Sequence, residues 1–196
     1  MPQGIKTRSV SLYKTLRTVG MMLFNRSDYQ RWSEAANLHK DWDTRSELIA
    51  TLIPDHSSVL EFGAGTMALK RFLPKHCRYT PSDIVDRGDG TIVCNLNDAR
   101  LPVFAYHDVV VFGGVLEYVY DIHKLISHLS DSCGSIIVSY AVTNVAGQRT
   151  ALQRRKHGWV NDHDKDELIS IFSACGFSCN RVVRWNDQLI FIFNKR

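Results

Sequence analysis

The sequence is poor in cysteine, and what it has does not pair: five residues in 196, at positions 77, 94, 133, 175 and 179, none in the CxxC spacing of zinc sites. An odd, irregular set argues against a disulfide framework and for reduced thiols in the cytoplasm. Cys175 and Cys179 read as a structural pair flanking a helix end at Gly176. No stretch approaches the ~18 apolar residues of a membrane span. The short run Val19 to Phe24 follows Lys14 and Arg17, which interrupt the apolar region a signal peptide needs. Repeats and low-complexity tracts are absent, and a formal net charge of +4 is too small to argue for nucleic acid. Carboxylates are missing from the first 27 residues, which carry Lys6, Arg8, Lys14, Arg17 and Arg26. Leu12, Leu16, Val19 and Leu23 recur there at helical spacing, so the segment reads as a basic amphipathic helix. Its apolar face either packs on its own domain or makes peripheral contact with a membrane surface, a partner subunit or an acidic substrate.

What remains is ordinary for a folded protein. Apolar residues make up 44% and charged residues 22% of the chain, and a domain of this length buries roughly 70% of its unfolded surface. Residues 1–54 read as a helical extension and 55–196 as the main domain. In the extension, Ser27 with Gln30 and Thr44 with Glu47 have capping-box spacing. They predict one helix from about Ser27 and another from Thr44 to Ile53, stopped by Pro54. Beyond it, strand-like runs at Ser58 to Phe62, Arg78 to Ser82, Thr91 to Leu96, Asp108 to Phe112 and Ser135 to Tyr140 alternate with helices at Ala68 to Leu73 and Asp121 to Leu129. Apolar strands separated by helices imply a parallel sheet covered on both faces. The end of the chain differs. Asp164 and Glu167 can cap a helix closed by Gly176, and strands Asn180 to Trp185 and Gln188 to Phe193 follow with only Asn186-Asp187 between them. That connection is too short for a parallel crossover, so the two are antiparallel.

In a doubly wound sheet, ligands sit beyond the carboxyl ends of the strands, where strand order reverses. Val59-Leu60-Glu61-Phe62-Gly63-Ala64-Gly65 is a strand running into a glycine turn of that kind, and Gly65 lets backbone approach a ligand closely. Asp83 lies twenty residues beyond Gly63, where a carboxylate can accept from both hydroxyls of a ribose. Asn95-Leu96 offers an amide and an apolar face to an adenine. A fourth strand then ends in Phe112-Gly113-Gly114-Val115-Leu116-Glu117-Tyr118, a second glycine turn.

From Val59 to about Tyr140 the chain resembles the class I, S-adenosylmethionine-dependent methyltransferases. Glu61 to Gly65 is similar to their first motif, Asp83 to their ribose-binding acid, Asn95-Leu96 to their adenine pair, and Gly113 to Tyr118 to the motif after their fourth strand. The resemblance implies a doubly wound, mostly parallel α/β sheet of seven strands with a C-terminal antiparallel hairpin, and S-adenosylmethionine as cofactor. It places the cofactor against Glu61, Gly63, Ala64, Gly65, Asp83, Asn95, Leu96, Phe112 and Gly113, the methionine end lying near Gly63, Phe112 and Gly113. Two positions depart from the pattern: Met67 stands where the third glycine belongs, and Asn95 where aspartate is usual. Trp159-Val160-Asn161 is similar to small bacterial members associated with surface-polysaccharide modification. The rival is a nicotinamide domain, since Gly63-x-Gly65-x-x-Ala68 also fits the looser dinucleotide fingerprint. Tyr120 and Lys124 even have the spacing of short-chain dehydrogenases, though directly after the fourth strand, where that pair does not belong. The terminal hairpin favours the methyltransferase.

Methyl transfer from a sulfonium needs positioning and water exclusion more than a strong base or a metal. The segment 141–163 is the candidate acceptor region, with Tyr118, Tyr140, Asn144, Arg154 and Trp159 as candidate substrate contacts. Arg149, Arg154, Arg155 and Lys156 suit a phosphate, a carboxylate or a sugar nucleotide, or else form a solvated basic helix. His157 is the candidate base for a hydroxyl acceptor. Glu117 is a second catalytic candidate, equally suited to orienting its turn. Asp162, His163 and Asp164 look like a metal cluster, but capping by Asp164 explains them without one. The chain lacks the Asp/Asn-Pro-Pro-aromatic turn of amino-methylating DNA enzymes and any Pro-Cys dipeptide. A small molecule or saccharide, methylated on oxygen or else on nitrogen, is therefore the expected substrate. A non-catalytic, methyltransferase-like partner protein is the alternative that Met67, Asn95 and the basic N-terminal helix suggest.

Overall fold

Strand β1 (Ser58–Phe62) is buried at every position, because helices cover both faces of the sheet it centres. The computed structural model describes residues 3–145 and 149–196, with side chains from residue 12 onward. Val59 of β1 lies opposite Tyr79 of β2 (Arg78–Asp83) on one side and Val109 of β4 (His107–Gly113) on the other, both in parallel register. β3 (Ile92–Val93) extends the sheet beyond β2, and β5 (Cys133–Tyr140) extends it beyond β4. The hairpin of β6 (Phe177–Trp185) and β7 (Gln188–Lys195) closes that edge, with β7 antiparallel to both β5 and β6. The order is β3-β2-β1-β4-β5-β7-β6, all strands from β1 to β5 parallel. The chain winds outward from β1 and then restarts at β4, so the crevice of a doubly wound fold opens where β1 and β4 end.

Side chains alternate between two apolar layers. Leu60, Phe62, Val110, Phe112 and Ile136 face α5 (Ile122–Leu129) and α7 (Lys165–Ala174). Val59, Val109, Val111 and Ile137 face α3 (Asp43–Ala50) and α4 (Ala68–Phe72). The expected cap at Asp164 forms as a full capping box with Glu167, and Asp121 caps α5.

Three expectations change. β3 is two residues rather than six, because Asn95, Asn97 and Asp98 turn the backbone on itself at the sheet edge. The helix expected from Ser27 is α2 (Tyr29–Ser33), capped by Asp28, and the Ser27 hydroxyl donates to Asn95 instead. Thr44 caps nothing; its helix starts at Asp43 and ends at Ala50.

The N-terminal helix α1 (Gln3–Leu23) packs on α6 (Ala151–Lys156), but not through its leucines. Thr15 and Thr18 are buried, whereas Leu12, Leu16, Val19 and Leu23 face outward, Leu23 at 76% exposure. An ion pair from Arg17 to Asp28, 2.6 Å long, holds that rotation. The side chains of Lys6 and Arg8 lie outside the described residues, as do positions 146–148 of the candidate acceptor segment. No described helix is long and apolar enough to cross a membrane.

Candidate active site

The turn after β1 calls for glycine at its first position. Gly63 has φ +67°, and a Cβ there would lie 2.4 Å from the Val115 side chain. The loop is fastened to the end of β2: Ala64 N–H donates to the Ser82 carbonyl at 3.0 Å, and Gly65 N–H donates to Asp83 Oδ2 at 2.9 Å. Met67 sits in the left-handed region with φ +54° and precedes α4 directly. The third glycine of the motif is therefore a conformational requirement here, and methionine meets it at the usual cost of about 1–2 kcal/mol for a non-glycine residue.

Beyond this loop opens a cavity of about 400 Å³. Glu61, Gly63, Ala64, Gly65, Asp83, Asn95, Leu96 and Gly113 all line it, and Phe112 does not, being fully buried in the core. Asp83 Oδ1 also accepts from Val85 N–H, and Arg87 Nε lies 3.3 Å from Asp83 Oδ2. The Asn95 carbonyl accepts from Ser27 and from Asn97 N–H, while its amide donates to Asp98. Asn95 thus ties the N-terminal segment to the loop after β3.

Opposite the Gly63 loop, Arg45 of α3 lies against the second glycine turn. A Cβ on Gly114 would come within 2.5 Å of its Nη1. Its guanidinium sits between Trp42 and Trp185, donates to Gln188 at 3.1 Å, and leaves its buried Nε–H with no partner. Burial lowers its pKa, and Glu117 and Glu61 pull the other way. Burial also pushes Glu61 up to about 8, so it holds a proton at neutral pH, and Tyr79 donates a 2.5 Å hydrogen bond to it.

The remaining wall is aromatic and basic. Tyr118 and Trp159 lie on it, joined by a bond from Trp159 Nε1 to the Tyr118 hydroxyl at 3.1 Å. Trp32 meets Tyr118 edge-on, with ring centroids 5.0 Å apart. His157 is there too, its Nε2 accepting from Arg149 Nε at 3.2 Å. Burial, then Arg149 and Arg31, lower the pKa of His157, so its ring is neutral near pH 7. All four tryptophans of the chain line this one cavity.

The other sequence candidates stand elsewhere. Glu117 is fully buried; its Oε1 accepts from Ala141 N–H and Gln188, fixing the turn after β4 to β5 and the hairpin. Arg154 is also fully buried, donating to the Ala141 and Asn161 carbonyls and to Asp162. The Tyr140 hydroxyl is bonded to Asn161, and Asn144 is exposed and accepts from Lys165 N–H. None of these four reaches the cavity wall. Arg154, Tyr140 and Asn161 form the clamp that presents Trp159. The residues that sequence reasoning did not single out are Arg31, Trp32, Trp42, Arg45, Trp185 and Gln188. Among the described residues the carboxylate–imidazole group within reach of one ion is Asp55, His56 and His76, exposed and away from the cavity.

The sheet order and the terminal hairpin are those of the class I methyltransferases, and the chain has that fold. A candidate O-methyltransferase of Nostoc punctiforme PCC 73102 superposes with a TM-score of 0.66 at 16% identity, over 85% of this chain and 60% of its own. The chain therefore spans about 60% of that protein's length. The 1,6-didemethyltoxoflavin N1-methyltransferase of Burkholderia thailandensis, solved with its substrate and S-adenosylhomocysteine, gives 0.61 at 16% identity over 97% and 89%. The N-methyltransferase NodS of Bradyrhizobium japonicum WM9, solved with S-adenosylhomocysteine, gives 0.59 at 17% identity over 80% and 86%. No protein-family model matches the sequence, nor does any curated protein.

Proposed function

We propose that the protein transfers a methyl group from S-adenosylmethionine to a small-molecule acceptor. The observation that carries this reading is the pairing of Asp83 with Arg45 across one cavity. Asp83 presents a carboxylate at the end of β2, suited to ribose hydroxyls, and Arg45 presents an unsatisfied buried N–H at the Gly113-Gly114 turn, suited to the carboxylate of the methionine end. A nicotinamide dinucleotide would instead need its pyrophosphate at the start of a helix. Here that helix, α4, has five residues and begins from a left-handed Met67.

When bound, the cofactor supplies a sulfonium-activated methyl carbon. The chain's own residues then have three tasks. Asp83, Arg45 and the backbone at Gly63 and Gly113 fix the orientation. Trp32, Trp42, Trp159 and Trp185 exclude water from the crevice. For a hydroxyl acceptor, the neutral ring of His157 takes the proton at Nε2 once Arg149 gives up its bond there. O-methylation of a small ring compound, a saccharide of surface polysaccharide among them, is the finer reading that His157 supports.

Thermal melting tests the cofactor. A ligand at a hundred times its Kd adds about 2.7 kcal/mol to the folded state, roughly 5–10 °C in Tm for a chain of this size. S-adenosylhomocysteine is expected to give that shift and NAD none. The reverse pattern would overturn the proposal.

A further inference from the structure

We infer that the acceptor is an anion, a ring compound carrying a carboxylate or phosphate, and that Arg31 grips the charged group; this rests on the methyltransferase reading above. Among the described residues, the buried guanidinium Nε–H groups without a hydrogen-bond partner belong to Arg31, Arg45 and Arg87, and all three line the cavity. Arg87 is answered by Asp83. Arg45 lies against Gly114, on the side assigned to the cofactor's methionine end. S-adenosylmethionine carries a single carboxylate, so Arg45 satisfies it and Arg31 is left over.

The wall around Arg31 is the acceptor wall. Its Nη1 lies 3.0 Å from where a Cβ on Gly158 would be, with the Tyr118 ring beside it, and its guanidinium covers Trp32 at 5.3 Å. Among the described residues no ion pair forms at Arg31, while the cavity's Asp28, Asp43, Asp83 and Asp187 are taken by Arg17, Arg71, Arg87 and Arg149. Glu61 is protonated and bonded to Tyr79, and Asp41 is exposed. Arg31 is half-buried as a whole, but its Nε–H is buried without a partner, and the cost of that unmet donor disappears when an anionic ligand accepts from it. The sulfonium adds a further positive charge to the same space, which strengthens the case for an anionic partner. Trp32, Tyr118 and Trp159 supply flat faces for a ring, and aryl acids and sugar acids share that requirement.

The test measures binding to the full-length protein saturated with S-adenosylhomocysteine. Its aryl arm pairs hydroxybenzoates, hydroxycinnamates and indole carboxylates with their methyl esters. Its sugar arm pairs hexuronates and hexose phosphates with the neutral hexoses. In at least one arm the anion is expected to bind about tenfold or more tighter than its neutral counterpart, the effect of charge-assisted hydrogen bonds. The arm that responds identifies the ring. Arg31→Gln should erase the preference and Arg31→Lys should retain part of it, both variants binding S-adenosylhomocysteine as the wild type does. Equal binding of anion and neutral partner in every arm, absence of binding included, overturns the inference, and so does a preference that survives Arg31→Gln. Failure of the wild type to bind S-adenosylhomocysteine would instead remove the cofactor reading beneath it.

Discussion

Asp83 and Glu61 both face the cavity, in surroundings that differ in kind. Asp83 accepts from two backbone N–H groups and sits by Arg87. Replacing it with alanine removes charge-assisted bonds to the ribose, worth about 1.5–3 kcal/mol. Calorimetry should then show S-adenosylhomocysteine binding weakened roughly 10- to 150-fold. Asp83→Asn, which keeps an acceptor for Gly65 N–H, should lose less. Glu61 is protonated because burial outweighs the Tyr79 hydrogen bond and Arg45, which pushes its pKa to about 8 from an ordinary 4.5. Between those values the folded state holds a proton that the unfolded state has released, so stability falls as pH rises through the window. Urea midpoints at pH 5, 6.5 and 8 should fall more steeply for the wild type than for Glu61→Gln; parallel slopes would show that Glu61 ionises normally. At this scale the sequence was readable where the cavity wall is local. Glu61, Gly63, Asp83 and Gly113 each announce themselves by position beside a strand end. Arg31 and Arg45 do not, since an arginine in a short helix looks the same whether it meets water or a tryptophan more than a hundred residues away.

At the level of elements, apolar continuity was the dependable signal. Strands buried on both faces, such as β1 and β4, cannot be mistaken for a half-solvated edge. β3 was overestimated because an edge strand of two residues has no period to display. α6 carries a capping box from Thr150 to Gln153 that lies plainly in the sequence, inside a stretch read for its charges instead. The face of α1 stays open in the sequence for a different reason. Helical spacing identifies a stripe, but only the Arg17–Asp28 pair and the contact with α6 decide which way it turns. The glycine turn gives the prediction that belongs here. Gly63→Ala puts a methyl 2.4 Å from Val115 at φ +67°, so the loop must shift and S-adenosylhomocysteine binding should fall at least about tenfold, a loss of 1.4 kcal/mol. A Gly63→Ala/Val115→Ala double variant should recover part of it by relieving the clash, leaving only the backbone strain.

For the molecule as a whole, the cavity is roofed by the helices that precede β1 and floored by the sheet. Thr18, Trp32, Leu38, Arg45 and Ser46 line it from the roof. Hydrogen exchange should therefore slow across residues 12–46 when S-adenosylhomocysteine binds, while the interior of β4 and β5 changes little because the sheet is already protected. Equal slowing everywhere would mean global stabilisation without roof ordering. The roof also meets the far part of the chain: Arg45 bonds Gln188, 143 positions later, and Thr44 accepts from Trp185, 141 positions later. At synthesis rates of about 5–20 residues per second, Arg45 waits on the order of 7–30 s for Gln188 to be made. During that interval Trp32 and Trp42 have been translated, but the wall that will enclose them has not. The chain can lay down its central strands before then, yet the pocket itself is assembled last, when the hairpin turn leaves the ribosome and swings back over the first helices.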